Sequence, residues 1–387
     1  MDEDVGEGVG GKLDFLEYFS ALPDPRRSKK VLYPLDEVLF LTLCAVLCGA
    51  DGWVSVALFG EQKLGFLRRY RPFESGTPSH DQLGLIFGAL DEAAFQTCFI
   101  AWTQSLSGAI AGVVAIEPAP AKAGGKTARR SFDRAGNKGA IHMVSAFSSS
   151  QKLVLGARAV DEKSNEITAI PELIDLLAIK GAIVTIDAMG CQKKITGKII
   201  DKGADYLFGL KGNQGTLRDD VELLLTEQYA IDFKDITVSR AASTDAGHGR
   251  VETREVVATH DIAWLKERHD WKGLRSIVMV VSTRETAKGV ENERRFYITS
   301  LPAEATKIGA AIREHWGVEN SLHWLLDVNF HDDDCRIRKK NAPANFTSVK
   351  RATLNALRKA PGKDSMKSKR LIAGWDENYL AKILENL

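Results

Sequence analysis

The chain has 387 residues, 44% of them hydrophobic and 27% charged, and its formal net charge is +1. This composition is typical of a globular protein, the length favours more than one domain, and the net charge indicates no particular class of partner. The five cysteines show no paired metal spacing and indicate a reducing compartment, and the longest apolar run, Val38 to Ala50, is too short to cross a bilayer. We therefore expect a cytoplasmic protein with no membrane partner.

The first part of the chain is predicted to be helical. Residues 1–12 are acidic and rich in glycine, which argues against a secretory signal and predicts a disordered tail. Residues 13–108 contain apolar and amphipathic runs separated by turn residues, and Ser79 and Asp91 offer N-caps. These features predict a small all-helical N-terminal domain. Its helices are predicted at residues 13–19, 38–49, 54–70, 82–90 and 91–106.

The remaining residues, 109–387, are predicted to form an α/β domain. Three strands in succession, then alternating helices and strands, predict a mixed sheet with helices on its faces. Residues from about 228 to 302 return to strand-like patterns and predict a β-rich insertion. The strands are predicted at residues 111–116, 140–148, 153–160, 182–187, 206–210, 236–241, 250–259, 274–283 and 294–299. The helices are predicted at residues 167–177, 192–202, 216–225, 306–324, 344–359 and 376–387.

Two carboxylates occupy positions that favour a catalytic or metal-binding site. Asp187 ends a predicted central strand, and ligands bind at the carboxyl ends of strands in α/β sheets. Its alternative role is to cap the helix that is predicted to start near Gln192. Glu319 lies in a predicted helix, where a spacing of four residues places it on one stripe with His323 and about Asp327. The alternative for Glu319 is an ordinary polar surface stripe.

Basic residues are concentrated in a few parts of a chain that is nearly neutral overall. Residues 336–370 contain twelve Lys or Arg and one acid, and residues 122–138 contain six Lys or Arg and one acid. Such clusters favour a local surface for a polyanion, although solvated loops and helix faces are the common alternative. The acidic run at residues 331–335 is predicted to be a solvated loop and not a metal site.

Eight motifs distributed along the chain carry a family resemblance. They are DPRR at residues 24–27, GADGW at 49–53, PSHD at 78–81, DEKSNEITAIP at 161–171, TIDAMGCQ at 185–192, LKGNQ at 210–214, DAGHGR at 245–250 and HWGVENSLHW at 315–324. Together they resemble the ISAs-type bacterial insertion-sequence transposases of the DDE superfamily and the related H-repeat-associated proteins. The resemblance implies an RNase H-like core with flanking helices, interrupted by the β-rich insertion and preceded by the helical N-terminal domain.

The resemblance also implies an activity, which is metal-dependent cleavage and strand transfer at the ends of an insertion sequence. By their motifs, Asp187 takes the place of the second Asp of a DDE triad, and Glu319 takes the place of the Glu. Three carboxylates suit two Mg²⁺ or Mn²⁺ ions, since such phosphoryl transfer uses one ion at the attacking oxygen and one at the leaving oxygen. The implied partners are double-stranded DNA, at the element ends and the target, and a second copy of the chain on that DNA.

The first triad carboxylate does not match cleanly. The family has an apolar strand followed by Ile-Asp-Gly-Lys-Thr, whereas this chain has Ile116-Glu117 and, later, Gly124-Gly125-Lys126-Thr127. Either Glu117 replaces the Asp and an insertion follows, or Gly124 stands where the Asp belongs. Because a misplacement of about 1 Å can reduce a rate about 100-fold, the alternative function is a catalytically degenerate transposase relic that binds DNA without cutting it.

Several basic and polar residues are candidate DNA contacts, and exposed loops without a DNA role are the alternative. Contacts between Lys or Arg and phosphates give an affinity that falls with salt and carries little sequence information. The candidates in the second part of the chain are Lys126, Arg129, Arg130, Lys211, Asn213, His248, Arg250, Arg336, Arg338, Lys339 and Lys340. The helical N-terminal domain is expected to read the element ends, with candidate contacts at Arg26, Arg27, Lys29, Lys30, Arg68, Arg69 and Arg71.

Overall fold

The computed structural model describes residues 14–118, 142–160, 166–247, 250–287 and 289–387. Within these ranges, nine strands form one mixed sheet, and helices cover both of its faces. The mixed α/β class predicted from the order of elements is therefore confirmed. The tail predicted at residues 1–12 lies outside the described residues.

The strands pair in an order that differs from their order in the chain. They are β1 Gly112–Pro118, β2 His142–Ser148, β3 Leu153–Val160, β4 Ala182–Ile186, β5 Asp205–Leu210, β6 Val238–Gly247, β7 Arg250–Thr259, β8 Ser276–Thr286 and β9 Gly289–Thr299. The sheet order is β3-β2-β1-β4-β5-β9-β8-β7-β6. The pairs β1–β4 and β4–β5 are parallel, and the other neighbouring strands are antiparallel. The predicted insertion thus extends the same sheet, because β9 pairs with β5.

The helices agree with the predicted positions apart from four differences. They are α1 Asp14–Phe19, α2 Leu35–Leu47, α3 Trp53–Gln62, α4 Leu64–Leu67, α5 His80–Ala89, α6 Glu92–Ser107, α7 Glu166–Leu176, α8 Lys193–Asp201, α9 Gly215–Ala230, α10 Ala263–His269, α11 Ala305–Val318, α12 Trp324–Phe330, α13 Ala342–Lys359, α14 Met366–Trp375 and α15 Glu377–Leu384. The predicted helix at 54–70 is broken at Lys63, whose φ of −114° and ψ of 20° are not helical. α10 and α14 were not predicted, and a π-helical turn at Glu319–His323 separates α11 from α12.

The alternation of side chains along the strands gives the sheet two apolar faces. On one face, Val114 of β1 and Val184 of β4 belong to the large hydrophobic core of the protein. On the other face, Val113 and Leu207 pack with Ile308 of α11 in a smaller core. α11 therefore covers the face on which the odd-numbered side chains of β1 lie.

α13 is the helix around which the N-terminal and C-terminal helices pack. The buried amide of Asn345 donates to the carbonyls of Phe87 and Leu90 at the end of α5, at 3.0 and 3.1 Å. Arg370 of α14 donates to the carbonyl of Val46 in α2, at 2.9 Å. The helices between residues 14 and 107 therefore share a hydrophobic core with the C-terminal helices. The predicted domain boundary near residue 108 stays a prediction.

The longest apolar run of the sequence lies mostly in α2, whose residues from Glu37 to Leu47 are buried inside the protein. Within the described ranges, no single helix is long and apolar enough to cross a membrane. α5 and α6 meet that condition only as a pair, and the two are bent by 90° relative to each other.

The acidic run at residues 331–335 is partly interior, so the prediction of a solvated loop was wrong for Asp332. Its side chain is 17% exposed, with one carboxylate oxygen 3.2 Å from Nζ of Lys350 and the other 3.7 Å from Nη1 of Arg351. Both cations lie on α13 and are buried. A buried charge needs a partner of opposite sign, and in this loop Asp332 supplies it.

We expect the Asp332→Ala variant to lose roughly 3 kcal/mol or more of its unfolding free energy, because two buried cations lose their carboxylate partner. The Asp333→Ala variant, changed at the next residue of the same loop, is the control and should change by less than about 0.5 kcal/mol. Urea denaturation followed by circular dichroism measures both values. Equal losses in the two variants contradict the structural role of Asp332.

Candidate active site

Two carboxylates lie side by side at the carboxyl ends of β1 and β4. The strands are parallel, and their register pairs Ile116 with Ile186. The next residue along each chain segment is a carboxylate, Glu117 in β1 and Asp187 directly after β4. Parallel pairing therefore brings the two residues to the same level of neighbouring strands. Of the two positions considered for the first triad carboxylate, Gly124 lies outside the described residues.

Glu117 is held by two histidines from the helix that covers this face of the sheet. Nε2 of His315 lies 3.0 Å from Oε1 of Glu117, and Nδ1 of His315 lies 2.9 Å from Oγ1 of Thr185 in β4. Nε2 of His315 can therefore donate to the carboxylate while Nδ1 shares a hydrogen bond with the threonine hydroxyl. Nε2 of His323 lies 3.6 Å from Oε2, which is too long for a hydrogen bond. This nitrogen is buried and has no hydrogen-bond partner among the described residues.

The surroundings of Glu117 keep its carboxyl group ionised. Its side chain is 15% exposed, and burial by itself raises the pKa of a carboxyl group. The hydrogen bond from His315, together with the charges of His315 and His323, outweighs burial and lowers the pKa of Glu117 to about 2. The carboxylate at the end of β1 is therefore ionised and accepts a hydrogen bond from a histidine inside the protein.

Asp187 is more exposed than Glu117 and has different partners. One of its carboxylate oxygens, Oδ1, accepts a hydrogen bond from the backbone N–H of Ala188 at 2.6 Å. The same oxygen lies 3.3 Å from Nζ of Lys211, with side-chain exposures of 47% for Asp187 and 69% for Lys211. Asp187 therefore caps the short 3-10 turn Ala188–Gly190, whereas the predicted capping alternative involved the helix that follows. A pair this exposed contributes little to stability.

The loop after β5 braces the segment that follows Asp187. The side-chain amide of Asn213 donates to the carbonyl of Ala188 at 2.7 Å, and that of Gln214 donates to the carbonyl of Cys191 at 2.9 Å. Two side-chain donors on successive residues thus fix the backbone beside Asp187. Asn213, which is a candidate DNA contact by sequence, has this structural partner as well.

Glu319 is the first residue of the π turn, and its side chain is exposed, whereas His323 at the other end of the turn is buried. Throughout the part of the chain that the structure describes, no group of three or more His, Cys, Asp or Glu is arranged to hold a metal ion. Glu117 is paired with histidine, and Asp187 is paired with Lys211. This arrangement of the three predicted ligands does not fit a two-metal site.

A cavity of about 360 Å³ opens next to Asp187. Its walls include the cationic side chains of Lys211, Arg218 and Arg294 and the ring of Trp316. Positive charge beside a cleft attracts an anionic chain such as a DNA strand. The cavity, which is also lined by Arg295 and by the acidic Glu293, therefore gives Lys211 three cationic neighbours that the sequence did not associate with it.

The other candidate DNA contacts fall into three groups. Lys126, Arg129, Arg130 and His248 lie outside the described residues. The exposed candidates are Arg250, Arg336, Arg338, Lys339 and Lys340. Several residues of the basic run at 336–370 are instead buried, namely Lys350, Arg351, Lys369 and Arg370. Among the N-terminal candidates, Arg26 pairs with Asp24 and Arg71 pairs with Asp36. Among the described residues, only part of the basic run at 336–370 therefore forms a cationic surface.

Sequence reasoning missed two contacts that shape this site. Thr185 could have been found, because it lies two residues before Asp187 in a strand and so shares its face. The contact of both His315 and His323 with one carboxylate had no signal, since a spacing of eight residues does not repeat on a regular helix face.

Comparisons with known families identify the family to which the chain belongs. Residues 108–355 match the family described as Transposase DDE domain, and residues 16–103 match the one described as DDE_Tnp_1-associated. The first of these segments covers more than half of the chain and contains Glu117, Asp187 and Glu319. The chain belongs to the DDE transposase family. The family resemblance predicted from the eight motifs is thus confirmed.

The chain is similar over almost its whole length to proteins that are named as transposases. The chain is 41% identical to the H repeat-associated putative transposase YhhI of Escherichia coli K12 over 377 residues, which are 95% of this chain and 97% of that protein. It is 40% identical to the Putative transposase YncI of Escherichia coli O157:H7 over 378 residues, which are 95% of this chain and 94% of that protein. A piggyBac transposase synaptic complex with hairpin DNA aligns with a TM-score of 0.40 at 10% identity, over 98% of this chain and 78% of that one. A similarity that weak supports no conclusion about this DDE transposase.

We expect the Glu117→Gln variant to have a lower free energy of unfolding than wild type, by an amount that depends on pH. The pKa of Glu117 in the folded protein is about 2, below its ordinary value of 4.5, so the stabilisation is present above about pH 4.5 and is lost as the pH falls towards 2. The difference in unfolding free energy between wild type and variant should be roughly 3 kcal/mol near neutral pH and shrink through this window.

Urea denaturation at a series of pH values measures this difference. Glu319→Gln is the matched control, because Glu319 is exposed and lies on the helical segment that carries His315 and His323. The control should show no such window. An identical pH response of the two variants contradicts the buried pairing of Glu117.

Proposed function

We propose that this chain is a DDE-type transposase that binds double-stranded DNA at the ends of an insertion sequence and cleaves and joins strands there. The main observation that supports the proposal is that Glu117 and Asp187 lie next to each other at the carboxyl ends of two parallel strands. The helical segment that continues into Glu319 covers this part of the sheet. The order β3-β2-β1-β4-β5, with parallel β1, β4 and β5, supports the RNase H-like core that the resemblance implies. In this proposal, Glu117 stands in for the first Asp of the triad.

Divalent ions supply the charge that such phosphoryl transfer needs, and DDE transposases generally use them. The carboxylates in their present arrangement do not fit two ions, because Glu117 is engaged by His315 and Glu319 is exposed. Cleavage with two ions therefore requires the carboxylate of Glu117 to leave His315. The identity of the ion, Mg²⁺ or Mn²⁺, is part of the proposal.

DNA is the proposed partner, and two observations support it. The cavity beside Asp187 is lined by Lys211, Arg218 and Arg294, which suits the phosphates of a strand. A second exposed cationic segment runs from Arg336 to Lys340. Joining two ends requires them to be held together, so a homodimer on DNA belongs to the proposal. Action on chromosomal DNA places the protein in the cytoplasm.

A second candidate function is a degenerate relic that binds element ends without cutting them. The buried pairing of Glu117 with His315 favours it, since the pairing keeps that carboxylate from a metal ion. The side chain of Glu is also one methylene longer than that of Asp, and a displacement of about 1 Å can cost about 100-fold in rate. The two candidates differ in cleavage and agree in DNA binding.

We expect wild-type protein with Mg²⁺ or Mn²⁺ to cleave a labelled duplex that carries its own element ends, at least about 100-fold faster than the Asp187→Asn variant. The variant keeps the shape of the side chain and should bind the duplex with an affinity close to that of wild type. Denaturing gels measure cleavage, and filter binding measures affinity.

Each result of this experiment decides between the two candidates or against both. Cleavage that depends on Asp187 rejects the relic. Binding without cleavage in wild type, with cleavage gained by Glu117→Asp, rejects the active enzyme and supports the relic. Absence of specific binding to the element ends rejects both.

We expect the double variant Lys339→Ala and Lys340→Ala to weaken binding to any DNA sequence about equally and to reduce the slope of log affinity against log salt by about 2, one unit for each lost phosphate contact. Lys382→Ala, an exposed lysine on α15, is the control and should leave the slope unchanged. Titrations between low and moderate salt measure the slope. An unchanged slope in the double variant removes this segment from the DNA interface.

A further inference from the structure

The helix that carries His315, Glu319 and His323 is not a regular α-helix. α11 ends at Val318, the turn Glu319–His323 is π-helical, and α12 starts at Trp324. The N–H of Trp324 donates to the carbonyl of Glu319, five residues earlier, which is the hydrogen bond of a π turn. π turns inside α-helices are rare and occur often at functional sites.

The π turn explains how two histidines reach the same carboxylate. In a regular α-helix, residues advance by about 100° each, so His315 and His323, eight residues apart, point about 80° apart. In the wider π turn each residue advances by roughly 80°, which over the four steps from Glu319 to His323 removes most of that difference. The distances from the two Nε2 atoms to Glu117, 3.0 and 3.6 Å, agree with one shared face.

A side chain from another helix contacts the π turn. Nη2 of Arg358, in the last turn of α13, donates to the carbonyl of Ser321, which lies inside the turn. The guanidinium also lies over the ring of Phe147 in β2, 5.0 Å from the centroid, so the position of the arginine is fixed from two sides. A break in the regular helical ladder leaves backbone groups that need other partners, and Arg358 supplies a donor at that place.

The guanidinium of Arg358 is partly buried, unlike the exposed cations of the same basic run. It belongs to the basic run at residues 336–370, which the sequence marked as a phosphate surface, but its Nη1 is buried and has no hydrogen-bond partner among the described residues. Lys339 and Lys340, in the same run, are exposed. Arg358 therefore has an interior role.

We infer that Arg358 is a positioning residue that holds the π turn at Glu319–His323, and that the turn in this form keeps both histidines on the carboxylate of residue 117. Without the donor to Ser321, the turn relaxes to a regular α-helix and His323 rotates away from Glu117, whereas His315, which precedes the turn, stays. The inference rests on the proposed function only in treating residue 117 as a site carboxylate.

The test reads the contact between Glu117 and each histidine from the ring-nitrogen NMR signals at one fixed pH. In the wild-type background, Glu117→Gln should shift the signals of both His315 and His323. In an Arg358→Met background, the same change should shift His315 and leave His323 in place. Arg358→Lys, which keeps a cationic donor, should retain part of the response. Circular dichroism and thermal unfolding show whether each variant is folded.

A compensating deletion makes the test specific to the π turn. Removing Asn320 in the Arg358→Met background shortens the spacing from His315 to His323 to seven residues, which on a regular α-helix lie within about 20° of one face. The response of His323 to Glu117→Gln should therefore return. If Arg358→Met does not fold, the same comparison is made with Arg358→Lys and with the deletion alone, which should keep the response.

Two outcomes overturn the inference. One is a response of His323 that survives Arg358→Met unchanged. The other is a folded Arg358→Met protein in which deletion of Asn320 fails to restore the lost response. DNA affinity provides a separate readout: Arg358→Met should bind the duplex as wild type does, whereas a loss of binding with a reduced salt slope assigns Arg358 to the DNA surface instead. None of these measurements uses metal or cleavage, so failure of the proposed activity does not affect them.

Discussion

The parallel pairing of β1 with β4 is the constraint on which the rest of the site depends. Because Ile116 pairs with Ile186, the residues that follow, Glu117 and Asp187, reach the same level of the sheet. Glu117 also points towards the face covered by α11, where a carboxylate is taken out of water and needs a partner. His315 supplies that partner and is itself fixed by Thr185 on the neighbouring strand. The strand register thus determines where the histidines of the helix must be.

The helical segment that carries these histidines is supported by residues from elsewhere in the chain. Its π turn brings His323 to the carboxylate, and Arg358 of α13 contacts the turn. α13 in turn packs against helices of the N-terminal segment, through contacts such as that of Asn345 with the end of α5. The region that matches the DDE_Tnp_1-associated family therefore shares one core with the helix that supports the site. Changes in that region can alter the site without touching it.

The chemistry of the site follows from how its three carboxylates differ. Glu117 is largely buried and lies in hydrogen-bond contact with His315, Asp187 is half exposed beside Lys211, and Glu319 is on the surface. An active transposase and a relic share this framework, and what separates them is whether the carboxylate of residue 117 can exchange its histidines for an ion. The side chain of Glu, longer than that of Asp, makes that exchange sensitive to small displacements.

The sequence by itself determined the family, the order of the strands and the order of most helices, because hydrophobic periodicity is local and the motifs are long. It also predicted site roles for Asp187 and Glu319, which stand in such motifs. Only the tertiary structure decided that Glu117 lies against His315 and His323, that Asp332 lies beside two buried cations, and that Arg358 donates to a carbonyl within the π turn. These outcomes depend on burial and on partners far apart in the chain, such as residues 117 and 315. A regular helical spacing, which is what sequence reasoning assumes, gives the wrong direction for His323 as soon as one turn is π-helical.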